Sequence, residues 1–324
     1  MRRSSMPRSI ALSVGLMLST ASGVTGRVQS PARAWLPLPA LPVPVRAAAV
    51  TSDGERIFVL GGSTIDGRTA VVQILDLASR TWSYGPALPT PTDWGVAAYV
   101  ASDLHFIGGV TSVAPATTQH LVLRASAEGW QDAAPLPSQV AGSAAVAIGS
   151  SIYLFAGNSG RPPNYTATTY VLDTSANSWM PGPPVPSPRI NWSGARVQER
   201  AFLIGGGTGG LQTADDLLAF HPASNTWVSL PAIPMAREAH GVGAAQGLVC
   251  ALGGRLAARG NFNRPFDDVS CYSTATETWT VGPRLPRPLQ ELAAASLESA
   301  IVAVGGADGE GRPVGDVWQL TIRQ

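Results

Sequence analysis

The sequence predicts an all-β protein in which six four-stranded blades surround a central axis, a six-bladed β-propeller. Three observations lead there. The chain holds 35 glycines and 27 prolines among 324 residues, and this density of turn formers favours many short strands over long helices. A tryptophan recurs six times at nearly constant spacing. Each unit of about 48 residues contains apolar runs for four short strands, as propeller blades do.

The repeat is defined by a tryptophan and by a pair of small residues that follows it. The tryptophans are Trp35, Trp82, Trp130, Trp179, Trp227 and Trp279, and the pairs begin at Gly61, Gly108, Ala156, Gly205, Gly253 and Gly305. The distance from each tryptophan to the next pair is 26 positions in all six units, whereas the distance from a pair to the next tryptophan varies from 21 to 26. One half of each unit is therefore constant in length, and insertions fall in the other half.

Each unit reads as four strands in a fixed order. A Leu-Pro-like step precedes a first strand of small residues, and a second, apolar strand ends at the paired glycines. The second strands are predicted at Ile57–Leu60, Leu104–Ile107, Ile152–Phe155, Ala201–Ile204, Leu248–Leu252 and Ile301–Val304. A loop leads to a third strand, and the tryptophan begins the fourth. Short apolar runs bounded by turn residues are typical of buried strands.

The two ends of the repeat region complement each other. The sixth unit has three strands, the last at Val317–Leu320, and the segment around Trp35 has a tryptophan but no earlier strands. We predict that the N-terminal strand around Trp35 completes the sixth blade, so that the ring closes and no open edge remains.

This order of motifs resembles the kelch repeat, and the resemblance covers residues 35–324. The arginine that follows the Leu-Pro step in kelch repeats is matched by Arg46, Arg189 and Arg237. The resemblance implies that the loops entering the first strands and the loops after the paired glycines share one face. It also extends distantly to bacterial kelch sialic-acid epimerases, which are exported, and to the galactose oxidase propeller.

The N-terminus predicts export. Arg2, Arg3 and Arg8 precede the apolar stretch Ile10–Leu18 and a run of small residues, the order of a signal peptide. We assign residues 1–26 to the signal peptide and 27–34 to a linker. Removing the signal peptide takes away three arginines and no acid, so the net charge changes from +1 to −2. We expect a secreted or periplasmic protein without a membrane span in the mature chain, because nine apolar residues cannot cross a bilayer.

Composition excludes several chemistries. All 22 basic residues are arginine, so Schiff-base catalysis and a phosphate-binding lysine are excluded. The near-zero net charge offers no strongly basic surface for binding nucleic acid. Two cysteines cannot form a four-thiolate zinc site, and the copper ligands of galactose oxidase cannot be assembled. We therefore expect no cofactor, no metal and a monomer.

Candidate ligand-binding residues lie in the loops of the shared face and at the mouths of the first strands. Trp94 and Trp192 do not belong to the six repeat tryptophans. Their distances to the paired glycines that follow differ in parity, so strand alternation predicts that at most one looks into the central channel. The other candidates are Arg46, Asp93, Arg161, Arg189, Arg237, Glu238, Arg255, Arg264 and Glu291. A tryptophan beside arginines suits a sugar ring or an aromatic-rich peptide.

Two functions remain open. The first is a non-catalytic binding module for carbohydrate or for a protein partner. The second, implied by the resemblance to the epimerases, is a sugar epimerase or mutarotase, with Glu238, His240 and Arg237 as weak catalytic candidates. Glu238 and His240 share strand parity, so we expect both to face one cavity.

The two cysteines lie in neighbouring predicted strands of the fifth unit. Cys250 is in the second strand and Cys271 in the third. They form either a cross-strand disulfide, which an oxidising compartment would permit, or two buried thiols.

Overall fold

A computed structural model describes residues 34–162, 164–209, 212–257 and 264–323. These residues form strands and turns without a helix, arranged as six four-stranded antiparallel sheets. The predicted six-bladed β-propeller is confirmed. The signal peptide proposed at residues 1–26, and all but the last residue of the linker, lie outside the described residues.

Each blade contributes four strands, from the axis outwards. Blade 1 is Ala49–Ser52, Arg56–Leu60, Val72–Asp76 and Thr81–Tyr84; blade 2 is Val96–Val100, Asp103–Ile107, His120–Leu123 and Gln131–Asp132; blade 3 is Ala144–Ile148, Ser151–Asn158, Tyr165–Asp173 and Ser178–Gly182. Blade 4 is Ser193–Val197, Arg200–Ile204, Leu217–His221 and Thr226–Leu230; blade 5 is Gly241–Ala245, Leu248–Leu252, Val269–Ser273 and Thr278–Val281; blade 6 is Ala293–Ser296, Ala300–Val304, Val317–Thr321 and Trp35–Pro37. Two ribbons extend the loops of blades 1 and 4, Ser63–Thr64 with Gly67–Arg68 and Gly207–Gly209 with Gln212–Thr213.

The N-terminal strand closes the ring as predicted. Trp35–Pro37 pairs antiparallel with Val317–Thr321, with Trp35 opposite Leu320. One hydrophobic cluster then joins Ile57 of blade 1 to Val302 of blade 6. Because each sheet packs against a neighbour on both faces, its second strand is mostly apolar rather than alternating, with buried His105 of blade 2 as an exception.

The six repeat tryptophans join neighbouring blades by hydrogen bonds as well as by packing. Each indole Nε1–H donates to the carbonyl oxygen four residues after the preceding repeat tryptophan, at 2.7–3.3 Å. Trp82 donates to Pro39, and Trp35 completes the circle by donating to Pro283. Most of these indoles are half-buried, since they lie on the outer strands. The constant spacing therefore serves an unbroken ring of contacts between blades.

The paired small residues form a second ring nearer the axis. The second glycine of each pair donates its N–H to a carbonyl at the entry to the next blade, at 2.8–2.9 Å. At the first position, a Cβ on Gly61 would lie 2.3 Å from the carbonyl oxygen of Thr92, so only glycine fits there. Blade 3 has Ala156 instead, with φ of 49°, and its second strand carries a bulge between Phe155 and Gly157.

Two details differ from the sequence prediction. The outer strand of blade 2 is Gln131–Asp132 and does not include Trp130. The sequence predicts the third strand of blade 3 at Thr169–Leu172, whereas the observed strand, Tyr165–Asp173, begins four residues earlier. It pairs with the second strand beyond the bulge, to Asn158. In blade 3 the loop therefore stands on an extended hairpin.

Candidate functional site

A central channel runs between the six innermost strands. Each innermost strand is hydrogen-bonded in its sheet on one side only, so its other edge faces the channel. Two cavities lie along the channel. The upper cavity, of about 140 Å³, lies where the innermost strands begin; the lower chamber, of about 760 Å³, lies where they end. The upper cavity opens on the face that carries the loops after the paired glycines, which we call the loop face.

Six residues form a closed hydrogen-bonded ring at the upper end. They are Ala47, Trp94, Gly142, Asn191, Ala239 and Glu291, one from each blade. Each N–H donates to the carbonyl of its counterpart in the preceding blade, at 2.6–3.0 Å, and Ala47 closes the ring on Glu291. All six have a positive φ, between 51° and 58°. Five are not glycine, and such conformations tend to cluster at functional sites.

The side chains of this ring alternate in size around the channel. Blades 2, 4 and 6 contribute Trp94, Asn191 and Glu291, whereas blades 1, 3 and 5 contribute alanine or glycine. All three larger residues border the upper cavity. The mouth therefore presents an aromatic ring, an amide and a carboxylate at alternate blades.

Four charged residues are joined in a chain beside this mouth. The Arg255 guanidinium contacts Glu238 Oε1 at 3.2 Å and Glu291 Oε1 at 2.9 Å, and Arg46 pairs with the second oxygen of Glu291. The chain crosses blades 5, 6 and 1, and both carboxylates are buried. The predicted candidates Arg46, Glu238, Arg255 and Glu291 are thus brought together, but they neutralise each other.

Two further predicted arginines fasten the loops of their own blades. Arg237 is fully buried; it pairs with Asp268 and donates to the carbonyl oxygen of Gly253 at 3.0 Å. Arg189 is bound by Asp216 at 2.6 Å. Burial lowers the pKa of Arg237 from its ordinary value, and the Asp268 carboxylate opposes that shift. Each arginine thus links the segment that enters the first strand of its blade to the start of the third strand of the same blade.

One register expectation was wrong. Arg46 was assigned with Arg189 and Arg237 to the kelch arginine position. The bridges Arg46–Ser63, Asp93–Val110 and Glu238–Arg255 instead place Arg46 level with Asp93 and Glu238, one residue later. The sequence carries the same offset, since Arg46 follows Leu41 by five positions, whereas Arg189 and Arg237 follow Val185 and Ile233 by four.

The two additional tryptophans occupy different positions in their blades, but both border the upper cavity. Trp94 is half-buried in the ring, whereas Trp192 lies one position later and is buried between blades. Its Nε1–H donates to the carbonyl oxygen of Phe155 at 3.2 Å. Trp192 is therefore a packing residue that also borders the cavity.

Glu238 and His240 do not face one cavity together. His240 borders the upper cavity, but the lining does not include Glu238, whose carboxylate is held by Arg255. Neither ring nitrogen of His240 has a hydrogen-bond partner among the described residues. Burial, reinforced by the Arg237 charge, lowers its pKa to about 3, so the imidazole is neutral near pH 7. An acid/base pair of these residues is not assembled here.

The remaining candidates have varied surroundings. Asp93 is buried and accepts hydrogen bonds from Ser63 Oγ at 2.6 Å and Arg68 Nε at 2.8 Å. Arg161 and Arg264 are exposed in their loops. Residues 258–263, which lie between the candidates Arg255 and Arg264 in the sequence, are outside the described residues. Within the described ranges, no group of three or more metal-ligating side chains forms a metal site, and no helix is long and apolar enough to span a membrane.

The structure joins Cys250 and Cys271 in a disulfide. The residues lie directly opposite each other in the second and third strands of blade 5. Of the two alternatives that the sequence left open, the structure shows the cross-strand disulfide and not two buried thiols.

The sequence reasoning missed the apolar residues of the loop face. Ile65 and Val113 stand in the loops after the paired glycines of blades 1 and 2, with 75% and 91% of their surface exposed. Met235 and Leu256 are also exposed on loops of this face. In the sequence, each of these residues is a large apolar residue inside a polar loop. A search for charged and aromatic residues does not detect this feature.

Comparisons with known proteins agree with this architecture. A solved structure titled "Structure of YjhT" superimposes with a TM-score of 0.78 over 89% of this chain and 97% of that chain, at 15% identity. Kelch-like protein terF of Aspergillus terreus is 24% identical over 78% of this chain and 59% of its own length. Human Kelch-like protein 34 is 24% identical over 89% of this chain and 46% of its own length.

The chain thus spans about half the length of these curated relatives. Residues 96–306, about two thirds of the sequence, match the family described as the KLHDC2/KLHL20/DRC7 Kelch-repeats domain. Together with the six observed blades, this match shows that the chain belongs to the kelch-repeat family.

Proposed function

We propose that this propeller is an exported, non-catalytic binding module whose loop face recognises a protein partner. The observation that carries the proposal is the exposure of apolar side chains on separate loops of that face, Ile65 and Val113 above all. Exposed apolar groups bordered by polar residues favour protein association. The kelch-like relatives and the kelch family match support an interaction module in general.

The arrangement of charge supports binding over catalysis. The carboxylates near the mouth are engaged by arginines, and His240 is neutral and buried. A general acid or base must reach the proton that it transfers. The ionic groups here are better suited to holding the loops rigid, which lowers the entropic cost of binding.

Export is supported by the disulfide in blade 5. Such bonds persist in oxidising compartments and are rare in the cytosol. The charged, apolar and small-residue order of the first 26 residues agrees with that location.

Carbohydrate is the second candidate ligand, on one specific observation. Trp94, Asn191 and Glu291 surround the upper cavity, and an aromatic face with amide and carboxylate groups suits a hydroxylated ring. The epimerase or mutarotase alternative remains a competing proposal, and it requires Glu238 to leave Arg255 during turnover.

The test compares three purified mature proteins as baits in extracts of the producing organism. The wild type and Val281→Ser, which changes an exposed residue on an outer strand, should retain the same partner. The double variant Ile65→Ser/Val113→Ser should lose it, and binding to the purified partner should weaken at least tenfold. Equal retention by all three baits would refute the loop-face proposal.

A thermal-shift panel of neutral and acidic sugars separates the alternatives. A stabilisation that Trp94→Ala abolishes would favour the carbohydrate site. Turnover of a sugar that Glu238→Gln abolishes would favour the epimerase. No shift and no turnover leave the protein-binding proposal as the one supported.

A further inference from the structure

The lower chamber is a second cavity of ligand size, at the end of the channel opposite the loop face. Its volume of about 760 Å³ falls within the range of small-molecule sites. The later halves of the innermost strands and the turns that follow them form its wall. The ring of six residues separates it from the loop face.

One wall residue carries a positive charge. Arg196 lies on the innermost strand of blade 4, borders the chamber and is exposed. Among the described residues, no carboxylate lies within ion-pair distance of its guanidinium. The loop face differs, since eight of its arginines each pair with an acid: Arg46, Arg68, Arg189, Arg237, Arg255, Arg284, Arg287 and Arg312.

Apart from Arg196 and Glu298, the described residues of the chamber wall are uncharged and rich in hydrogen-bonding groups. The free edges of the innermost strands present N–H and C=O groups, and Thr51, Ser52 and Gln198 add side-chain groups. Among the described residues, Glu298 is the one carboxylate of the chamber wall, and it belongs to blade 6, two blades from Arg196 around the ring. Arg196 therefore gives its own side of the chamber a preference for anions.

We propose that the lower chamber binds a small organic acid, with Arg196 taking its carboxylate. A guanidinium offers a planar pair of donors that matches a carboxylate, and a partly enclosed site strengthens that interaction. The strand edges would bind hydroxyl or amide groups of the same molecule. This site is separate from the proposed function of the loop face.

The test is calorimetric titration of the intact mature protein with succinate, at constant ionic strength. Succinamide, the uncharged analogue, is the matched probe. Succinate should bind the wild type, and succinamide should not. Arg196→Gln should weaken succinate binding at least tenfold, the loss expected for one charge-assisted hydrogen-bond pair.

Two variants serve as controls. Arg161→Gln removes an exposed arginine of the loop face and should leave the affinity for succinate unchanged. Glu298→Gln removes the opposing carboxylate and should leave that affinity equal or higher. Arg196 and Glu298 are both exposed, so their variants should fold, which circular dichroism verifies.

The proposal is overturned if succinate does not bind, if succinamide binds equally, or if Arg196→Gln binds succinate like the wild type. Its failure is distinguishable from failure of the loop-face proposal. Arg196→Gln should retain the protein partner, and Ile65→Ser/Val113→Ser should retain succinate binding.

Discussion

The two ends of the channel are built from the same six strands but differ in width and in charge pairing. At the upper end a hydrogen-bonded ring leaves a cavity of about 140 Å³, and arginines beside it are paired with acids. At the lower end the cavity is about 760 Å³, and Arg196 has no acidic partner among the described residues. The upper end has a backbone hydrogen bond at every boundary between blades, whereas at the lower end Ala244 and Gln246 of blade 5 donate to Ser296 and Glu298 of blade 6.

The cause lies in how the chain connects the strands. At the upper end the chain enters each innermost strand from the neighbouring blade, so the entry residues can hydrogen-bond across the boundary. At the lower end tight turns join the first and second strands within one blade, for example at Ala101 and Ser102, both with positive φ. Connections between blades thus stabilise one end and leave the other open.

The largest expected effect comes from breaking the closure on which both ends depend. Trp35→Ala removes a buried indole, its hydrogen bond to Pro283 and support for the pairing with Val317–Thr321. We expect a loss of about 3–5 kcal/mol or failure to fold. Urea unfolding measures it, with exposed Leu36→Ala as the control. A melting temperature and protease resistance equal to the wild type's would show that closure does not depend on Trp35.

Arg237→Gln tests the rigidity of the upper end. It leaves Asp268 without its cation and removes a donor from the Gly253 carbonyl in a fully buried setting. Such losses cost about 3–5 kcal/mol, because an unpaired charge stays partly buried. Arg161→Gln, on the exposed surface, should change unfolding by less than about 0.5 kcal/mol. Equal denaturation midpoints for the two variants would contradict the assigned role.

A pH series probes two buried histidines, His240 and His105. Burial lowers the pKa of His240 to about 3 and that of His105 to about 4, both below the ordinary value of 6.5. The unfolded chain therefore binds more protons between pH 6.5 and these values, and stability falls as pH falls through that window. Below pH 3 these groups add no further loss.

At about 1.4 kcal/mol per pKa unit, the expected contribution is about 3 kcal/mol for His105 and about 5 kcal/mol for His240. Unfolding midpoints measured from pH 7.5 to pH 3.5 check it. His240→Gln should flatten the decline, while a variant of half-buried His221 should not. A wild-type midpoint that is constant between pH 6.5 and pH 4 would contradict the assignment.

The smallest expected effect concerns the ring itself. Ala239 has φ of 51°, which costs an alanine about 1 kcal/mol relative to glycine. Ala239→Gly should therefore stabilise the protein by about 0.5–1 kcal/mol. Ala195→Gly, in an innermost strand, should destabilise it. Melting curves of both variants measure these changes in stability. A loss of stability in Ala239→Gly would show that the methyl group of Ala239 stabilises the protein more than the backbone strain destabilises it.

The fold could be predicted because a repeat reports the same geometry six times. The tryptophan and the paired glycines recur at constant distance, since each indole must reach the next blade and each glycine must admit a carbonyl. The site could be predicted only in part. Trp94 and Trp192 were separated by their offset, but Arg46 was placed one residue out of register, and Glu238 was expected to share a cavity with His240.

By itself the sequence determined the six-bladed propeller, its closure by the segment around Trp35 and the place of the insertions, because these follow from local periodicity and turn chemistry. Only the tertiary structure decided which charges are paired. Glu291 meets Arg46 across 245 positions of sequence, and Arg196 meets no acid among the described residues. Such pairing depends on distances between blades, which the repeat spacing does not encode.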